Sequence, residues 1–334
     1  MKKKFIKIVV AASLVLIATA IASTRIEAKS PKQSKHDRIV KFWTNARIAR
    51  AIPRDFVRNP KTRSFKPIQW KNSPGTIAAA AKWSNGGEVS TSTGKVFFTL
   101  GGYYYVCSAS VITENVAKQS LVLTAGHCAF DEVHGVFADN WMFIPEYYAQ
   151  PATLNPNESF CAKTTMGCWT ASALVVSKDY ADAGAFNDVA VLHDFAFAVM
   201  GAGGTSGDDD LSQKAGSHPV SFSKLGDGVD TWIFGYPAAN RYKGNTLMYC
   251  NGLLGLDSRM LDATYSLPCS LTAGSSGGPW FHPFASGGTG TQFSVNSYTY
   301  GGSKAMYGPM LSTEAEGMFV AAKSTNGNIL YELP

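Results

Sequence analysis

The chain has 334 residues, 45% of them hydrophobic, with a formal net charge of +6. That is enough apolar material for one large domain or two medium ones, which excludes a disordered or fibrous chain. The charge is unevenly placed: residues 1–72 hold 18 of the 30 Lys and Arg against only Glu27, Asp37 and Asp55, while the remainder holds 12 basic and 21 acidic residues. A basic leader therefore precedes an acidic body.

In chain order, MKKKFIK is a short basic region, IVVAASLVLIATAIA is an apolar run of signal-peptide length, and Ala20-Ile21-Ala22 supplies a small-x-small cleavage pattern. Residues 1–22 read as a signal peptide, and the apolar run is too short and too close to the terminus for a membrane span. The chain is expected outside the cytoplasm, secreted, extracellular or periplasmic. Residues 23–84 read as a basic propeptide or N-terminal extension. A basic block can be a nucleic-acid or membrane arm, but in an exported chain it also suits a propeptide whose charge complements the domain it precedes. Within it, RIVKFWTNARIARAI has apolar residues at near-helical spacing and could form an amphipathic helix or remain a solvated tail. The acidic body repels phosphate, so no nucleic-acid partner is expected for the mature domain.

From about residue 85 the texture becomes short β-rich runs: GKVFFTLGG, YYYVCSASVI, SLVLTAGHC, NWMFIPEYY, SALVVS, AVLHDFAFAVM, DTWIFGYP, NTLMYCNG and FSVNSYTYGG, separated by Gly, Asn, Asp and Ser. Many short strands without a long helical pattern give an all-β class. About 250 residues fit two six-stranded antiparallel barrels better than one small sandwich. The first barrel is placed at about 85–205 and the second at about 217–334. Between them, GAGGTSGDDDLSQKAG is a surface connection; Asp208, Asp209 and Asp210 are consecutive and cannot all face one ion from an extended backbone, so no metal is assigned there.

Six cysteines in an exported chain, with no CxxC pair or Cys/His cluster, point to three disulfides. Sequence alone allows about 15 pairings; the pairs expected are Cys107 with Cys128, Cys161 with Cys168, and Cys250 with Cys269.

Three places carry chemistry. SLVLTAGHC runs from an apolar strand straight into His127, and Cys128 can tie that corner back to Cys107; a fixed imidazole suits a general base. A base of this kind needs a buried carboxylate to select its tautomer. FNDVAVLHDFAFAVM offers Asp188 and Asp194. The apolar run after Asp194 has ordinary strand length, whereas a strand led by Asp188 would continue for twelve residues through His193 and Asp194, so Asp194 is preferred. In TAGSSGGPW, residues 272–280, Gly274 and Gly277 allow the backbone to fold tightly around Ser276. Either the glycines mark a plain turn, or the hydroxyl stands clear while nearby N–H groups converge on one point as an oxyanion hole.

TAGHC, DFAFAV and GSSGGP, in the order His, Asp, Ser, resemble the trypsin/chymotrypsin-like serine endopeptidases. GYPAA at 235–239 and YC…PCSLTAGSSGGPW resemble the secreted bacterial branch that contains the glutamyl (V8-like) endopeptidases. The resemblance implies a double barrel with the site in the cleft between barrels, His127 and Asp194 from the first and Ser276 from the second. It would make the oxyanion donors the N–H groups of Gly274 and Ser276. It implies a monomeric peptidase acting on protein or peptide substrates without a cofactor. One departure stands out: the trypsin branch has an aspartate before the nucleophile that pairs with a newly cut N-terminus, and Ser275 occupies that place here. Neither CSLTA at 269–273 nor SVNSYTY at 294–300 supplies the acid a Lys/Arg pocket needs or a cation for glutamate, so cleavage after neutral residues is expected. Two other readings fit parts of the sequence: a catalytically silent binding protein on the same scaffold, and an α/β hydrolase, since Gly274–Gly278 satisfies G-x-S-x-G. The latter requires a histidine well downstream of Ser276, and only His282 follows.

Overall fold

The computed structural model describes residues 34–67, 80–116, 119–147, 160–239 and 242–334; the signal-peptide reading of residues 1–22 lies outside them. The short runs of the body are strands, and six of them close on themselves. Thr93–Leu100 pairs with Tyr103–Ile112 and with Asp139–Pro145; Asp139–Pro145 pairs with Trp169–Ser177; that strand pairs with Ala196–Met200, which pairs with Ser120–Thr124. Ser120–Thr124 then returns to Tyr103–Ile112 and completes the barrel. The residues of Ser120–Thr124 and Ala196–Met200 are all buried. Their alternate side chains fill the barrel while the others are covered by neighbouring segments, which explains why these strands read as continuous apolar runs rather than alternating ones.

The second half departs from the expected closed barrel. It is built from a five-stranded sheet, in the order Gly290–Val295, Pro279–Phe284, Asp230–Gly235, Met248–Leu253, Ala81–Lys82, and a separate six-stranded sheet containing Gly255–Leu256, Thr264–Pro268, Ala305–Pro309 and Tyr298–Tyr300. The ladder breaks where the chain passes from one sheet to the other. At Leu254 the N–H donates to Val229 O, and at Asn296 and Ser297 the N–H groups donate to Gly278 O and Tyr307 O. Because Ala81–Lys82 pairs with Met248–Tyr249 and Trp83 is buried, the body packs from ahead of residue 85.

The C-terminal segment also differs from the reading of residues 217–334 as one barrel. Thr313–Ala322 is a helix that buries Ala315, Met318 and Ala322 in the core of the first barrel, and Ile329–Tyr331 adds in parallel to Val175–Ser177 of that barrel.

All three disulfides are formed: Cys107–Cys128, Cys161–Cys168 and Cys250–Cys269. The segment RIVKFWTNARIARAI, residues 38–52, is neither one long helix nor a solvated tail. Lys35–Phe42 and Asn45–Arg50 are two helices, because Thr44 caps the second through its side chain while Trp43 turns inward. Trp43 is 1% exposed, packs on Phe97 and donates its indole N–H to Asn140 O. Downstream, Ile52–Pro53 pairs with Tyr105–Val106, and Phe56–Arg58 joins the second-half sheet beside Tyr298–Tyr300.

Lys95 is buried on the outer face of the strand Thr93–Leu100, its ammonium lying over Phe97 and Tyr147, and no carboxylate pairs with it among the described residues. Burial pushes it down to about 7. An unfolded lysine titrates near about 10.4, so between these values the unfolded chain binds the extra proton and stability rises with pH. Lys95→Met is therefore expected to raise the melting temperature, most at or below pH 7, with the gap to the parent closing towards pH 10. Thermal unfolding at a series of pH values checks this, and a gap independent of pH would contradict it.

Candidate active site

His127 follows directly from the strand Ser120–Thr124, on the short turn Gly126–Cys128 that the Cys107–Cys128 bridge anchors. Gly126 has a steric reason: a Cβ there would lie 3.2 Å from Asp194 Oδ1 and 3.3 Å from the Tyr180 ring. The close approach lets Asp194 accept the His127 backbone N–H at 2.8 Å and take the ring Nδ1 at 2.9 Å on Oδ2. Ser297, from the second half, donates its hydroxyl to the same Oδ2. Both His127 and Asp194 are fully buried. A carboxylate facing Nδ1 fixes that nitrogen as the donor and leaves Nε2 with its lone pair, the form a general base requires. Phe56 and Phe186 hold the imidazole edge-on at 5.5 and 5.4 Å.

Asp188 lies elsewhere. Its carboxylate takes Arg58 in a two-pronged pair at 2.8 and 2.7 Å and Arg63 at 3.0 Å.

The serine loop has the backbone its glycines suggest. Gly274 has φ of +98° and Gly277 +80°, both in the left-handed region. The loop is clamped to both halves: Ser108 of the first barrel donates its N–H to Ser276 O and its hydroxyl to Gly274 O, while Gly277 N–H donates to Asn296 O. Ser275 is buried and donates its hydroxyl to Thr272 O, a neutral hydrogen bond where the trypsin branch has a charge.

What meets Ser276 is a residue sequence reasoning did not single out. Its Oγ donates to Asp55 Oδ1 at 2.6 Å, and the Gly274 N–H donates to Asp55 Oδ2 at 2.8 Å. His127 Nε2 is buried and has no hydrogen-bond partner among the described residues. Thus His127 and Asp194 come together, Gly274 and Ser276 come together, and Asp55 stands at the second pair. Burial pushes the Asp55 carboxyl above its ordinary range, opposed by the nearby His127 and by the hydrogen bonds from Ser276 and Gly274. The available signal was compositional: Asp55 is one of three acids in a strongly basic leader.

Around the serine loop, Ser270 Oγ accepts the Ala80 N–H, and Asn296 donates to Phe234 O and Ser275 O while accepting from Trp280. A buried acid outside the motifs, Asp257, is consumed by the hydroxyls of Tyr298 and Tyr300 and by the Arg259 N–H. It is therefore not available to a cationic side chain. Among the acids of the 201–216 connection, Asp210 caps the helix Leu211–Ala215 and accepts from Ser120. Asp179, His193 and Glu314 form the one group with metal-ligating side chains outside the disulfide region among the described residues, and His193 Nδ1 is already bonded to Glu314.

A closed six-stranded barrel joined to a second β half, with a buried His–Asp pair on the first and a glycine-framed serine on the second, is the arrangement of the chymotrypsin-fold serine proteases. The comparisons agree. The protease Anisep from Arthrobacter nicotinovorans is 38% identical, with 70% of this chain and 96% of that one covered and a TM-score of 0.58. The thermostable serine protease AL20 from an extremophilic microorganism is 34% identical over 71% of this chain and 99% of its own, with a TM-score of 0.57. The chain belongs to the trypsin/chymotrypsin-like serine proteases. A Glu endopeptidase, 16% identical over 75% of this chain and 99% of its own at a TM-score of 0.54, shares the fold. No protein-family model and no curated protein sequence matches the chain.

The seam between the halves leaves no room at Gly277. An added Cβ would meet Thr124 Oγ1 at 2.1 Å and Ser108 O at 2.3 Å, on a backbone that side chains adopt at a cost of about 1–2 kcal/mol. Gly277→Ala is expected to lose about 2 kcal/mol or more, read as a lower denaturation midpoint. An unchanged midpoint would contradict this account of the seam.

Proposed function

We propose that the protein is a secreted serine endopeptidase in which Ser276 is the nucleophile, His127 the general base and acid, and Asp194 the residue that orients the imidazole. The observation that carries this reading is the buried His127–Asp194 pair, held by three hydrogen bonds from His127 N, His127 Nδ1 and Ser297 to one carboxylate. With the cleft open to a peptide, Ser276 Oγ attacks the carbonyl carbon as Nε2 of His127 takes its proton. The Asp194 carboxylate stabilises the imidazolium that results. The tetrahedral oxyanion is received by the N–H groups of Gly274 and Ser276. That Gly274 N–H already binds a carboxylate oxygen supports its role as a donor to negative charge. One such donor is worth about 3 kcal/mol in the transition state. Return of the proton to the amine releases the first product, and water repeats the sequence on the acyl-enzyme.

The three disulfides fit an oxidising compartment and export. Residues 1–22 are assigned as signal peptide, the following basic segment, ending ahead of the strand Ala81–Lys82, as propeptide, and the remainder as the protease domain, acting as a monomer. The motif resemblance assigns it to the glutamyl-endopeptidase-like branch, although the neutral groups at 269–273 and 294–300 favour cleavage after neutral residues.

With the leader removed, Ser276→Ala is expected to abolish cleavage of a peptide library read by mass spectrometry, and cuts by the parent enzyme to cluster after neutral residues. Abundant cuts after Lys or Arg would refute the pocket assignment. Asp194→Asn is expected to reduce turnover by about 10⁴-fold, since it stabilises the wrong imidazole tautomer, whereas Asp188→Asn leaves it near the parent value. The reverse ranking would reassign the triad acid.

A further inference from the structure

The leader does more than precede the protease domain: its residues 52–58 lie in the cleft. We propose that this segment is an inhibitory strand, with the Asp55 carboxylate filling the oxyanion hole and holding the Ser276 hydroxyl away from His127. The proposal rests on the assignment of Ser276 as nucleophile.

Four contacts in sequence define the strand. Ile52–Pro53 pairs in parallel with Tyr105–Val106 on one side of the site. Arg54 donates to the carbonyl oxygens of His127 and Phe130 and pairs with the buried Glu132 at 2.9 Å. Phe56 stacks on Phe186 at 4.0 Å and stands edge-on to His127. Arg58 is buried and closes the far end on Asp188. Phe56–Arg58 runs parallel to Tyr298–Tyr300 and is backed by Phe65–Pro67. Between these anchors the Asp55 side chain reaches Ser276 Oγ and Gly274 N–H.

The chemistry explains why the segment inhibits rather than being cut. What stands at the nucleophile is a side-chain carboxylate, not a peptide carbonyl. A carboxylate has no leaving group for Ser276 to displace and carries its charge where the oxyanion of the reaction would develop, so it takes up the Gly274 donor of the hole in the ground state. It also takes the Ser276 proton-donating bond, which accounts for His127 Nε2 having no hydrogen-bond partner among the described residues. Charged hydrogen bonds of this type are stronger than neutral ones. The neighbouring arginine pairs to Glu132 and Asp188 fix the strand so that Asp55 is delivered at the right register.

The test uses the full chain with its leader intact, verified by mass. Two measurements are made on the parent, Asp55→Ala and Asp55→Asn: the rate at which a fluorophosphonate probe labels Ser276, and hydrogen exchange of the amides of residues 52–58. Asp55→Ala is expected to label at least about tenfold faster than the parent, with Asp55→Asn between them, because an amide keeps the shape but not the charge. Exchange at 52–58 is expected to be slow in the parent and faster in Asp55→Ala. Equal labelling in parent and Asp55→Ala, with both reactive, overturns the inhibitory role and leaves the protease assignment standing. Absence of labelling in every form, including chain whose leader has been clipped, overturns the assignment of Ser276 and with it the inhibition. Exchange at 52–58 as fast in the parent as in an unstructured peptide overturns the docking itself, whatever the labelling. If Asp55→Ala fails to fold, Asp55→Asn and Arg54→Ala carry the same comparison, each expected to label faster than the parent; parent-like labelling in both overturns the proposal.

Discussion

The carboxylate of Asp194 is the constraint on which the site depends. A charge removed from water is tolerated only if its oxygens are fully hydrogen-bonded. Here the partners come from two halves of the molecule: the backbone and ring of His127 from the first barrel, and the hydroxyl of Ser297 from the segment that crosses between the second-half sheets. The halves must therefore close on each other before the carboxylate is satisfied. Ser108 works across the same seam in the other direction, gripping the serine loop from the first barrel. Assembly of the cleft and orientation of the imidazole are one event.

The uneven charge of the sequence acquires a physical meaning in the same cleft. Arg54 and Arg58, from the basic leader, end on Glu132 and Asp188 of the acidic body. Tyr180 also donates to Glu132, so that buried acid is shared between leader and body. These contacts are few and local, but they flank the serine on both sides. The apolar part of the docking is supplied further upstream, where Ile39 and Trp43 enter the same core as Phe97, Val106 and Met142.

Much of this was legible in the sequence, for reasons that differ by element. The strands of the first barrel announce themselves because Val, Leu, Phe and Ala runs are bounded by turn residues. The geometry at Gly274 and Gly277 follows from glycine's access to positive φ. Asp194 and Asp188 could be separated only by the length of the strand that follows, and they sit in different surroundings, one against His127 and the other under two arginines. The break of the second half into two sheets was not legible, since it depends on where single N–H groups at Leu254 and Asn296 are sent. Nor was the return of the C-terminal helix to the first barrel, because nothing local to Thr313–Ala322 specifies a partner more than a hundred residues away. Asp55 and Asp257 were missed for the same reason: each is defined by distant hydroxyls and amides, and a lone acid in a leader or loop has no periodic signature.

The parallel pairing of Phe56–Arg58 with Tyr298–Tyr300 carries a consequence of its own. Without that partner, Tyr298–Tyr300 would present a free row of N–H and C=O groups, the kind of open margin that recruits any extended chain, including a neighbouring molecule of the same kind. A cleft built to accept a peptide in strand form is by construction a sticky border. Covering it from within the same polypeptide lets the protein fold without adhering to its own copies, so the groove's appetite for strands is held in check for as long as the cover stays in place.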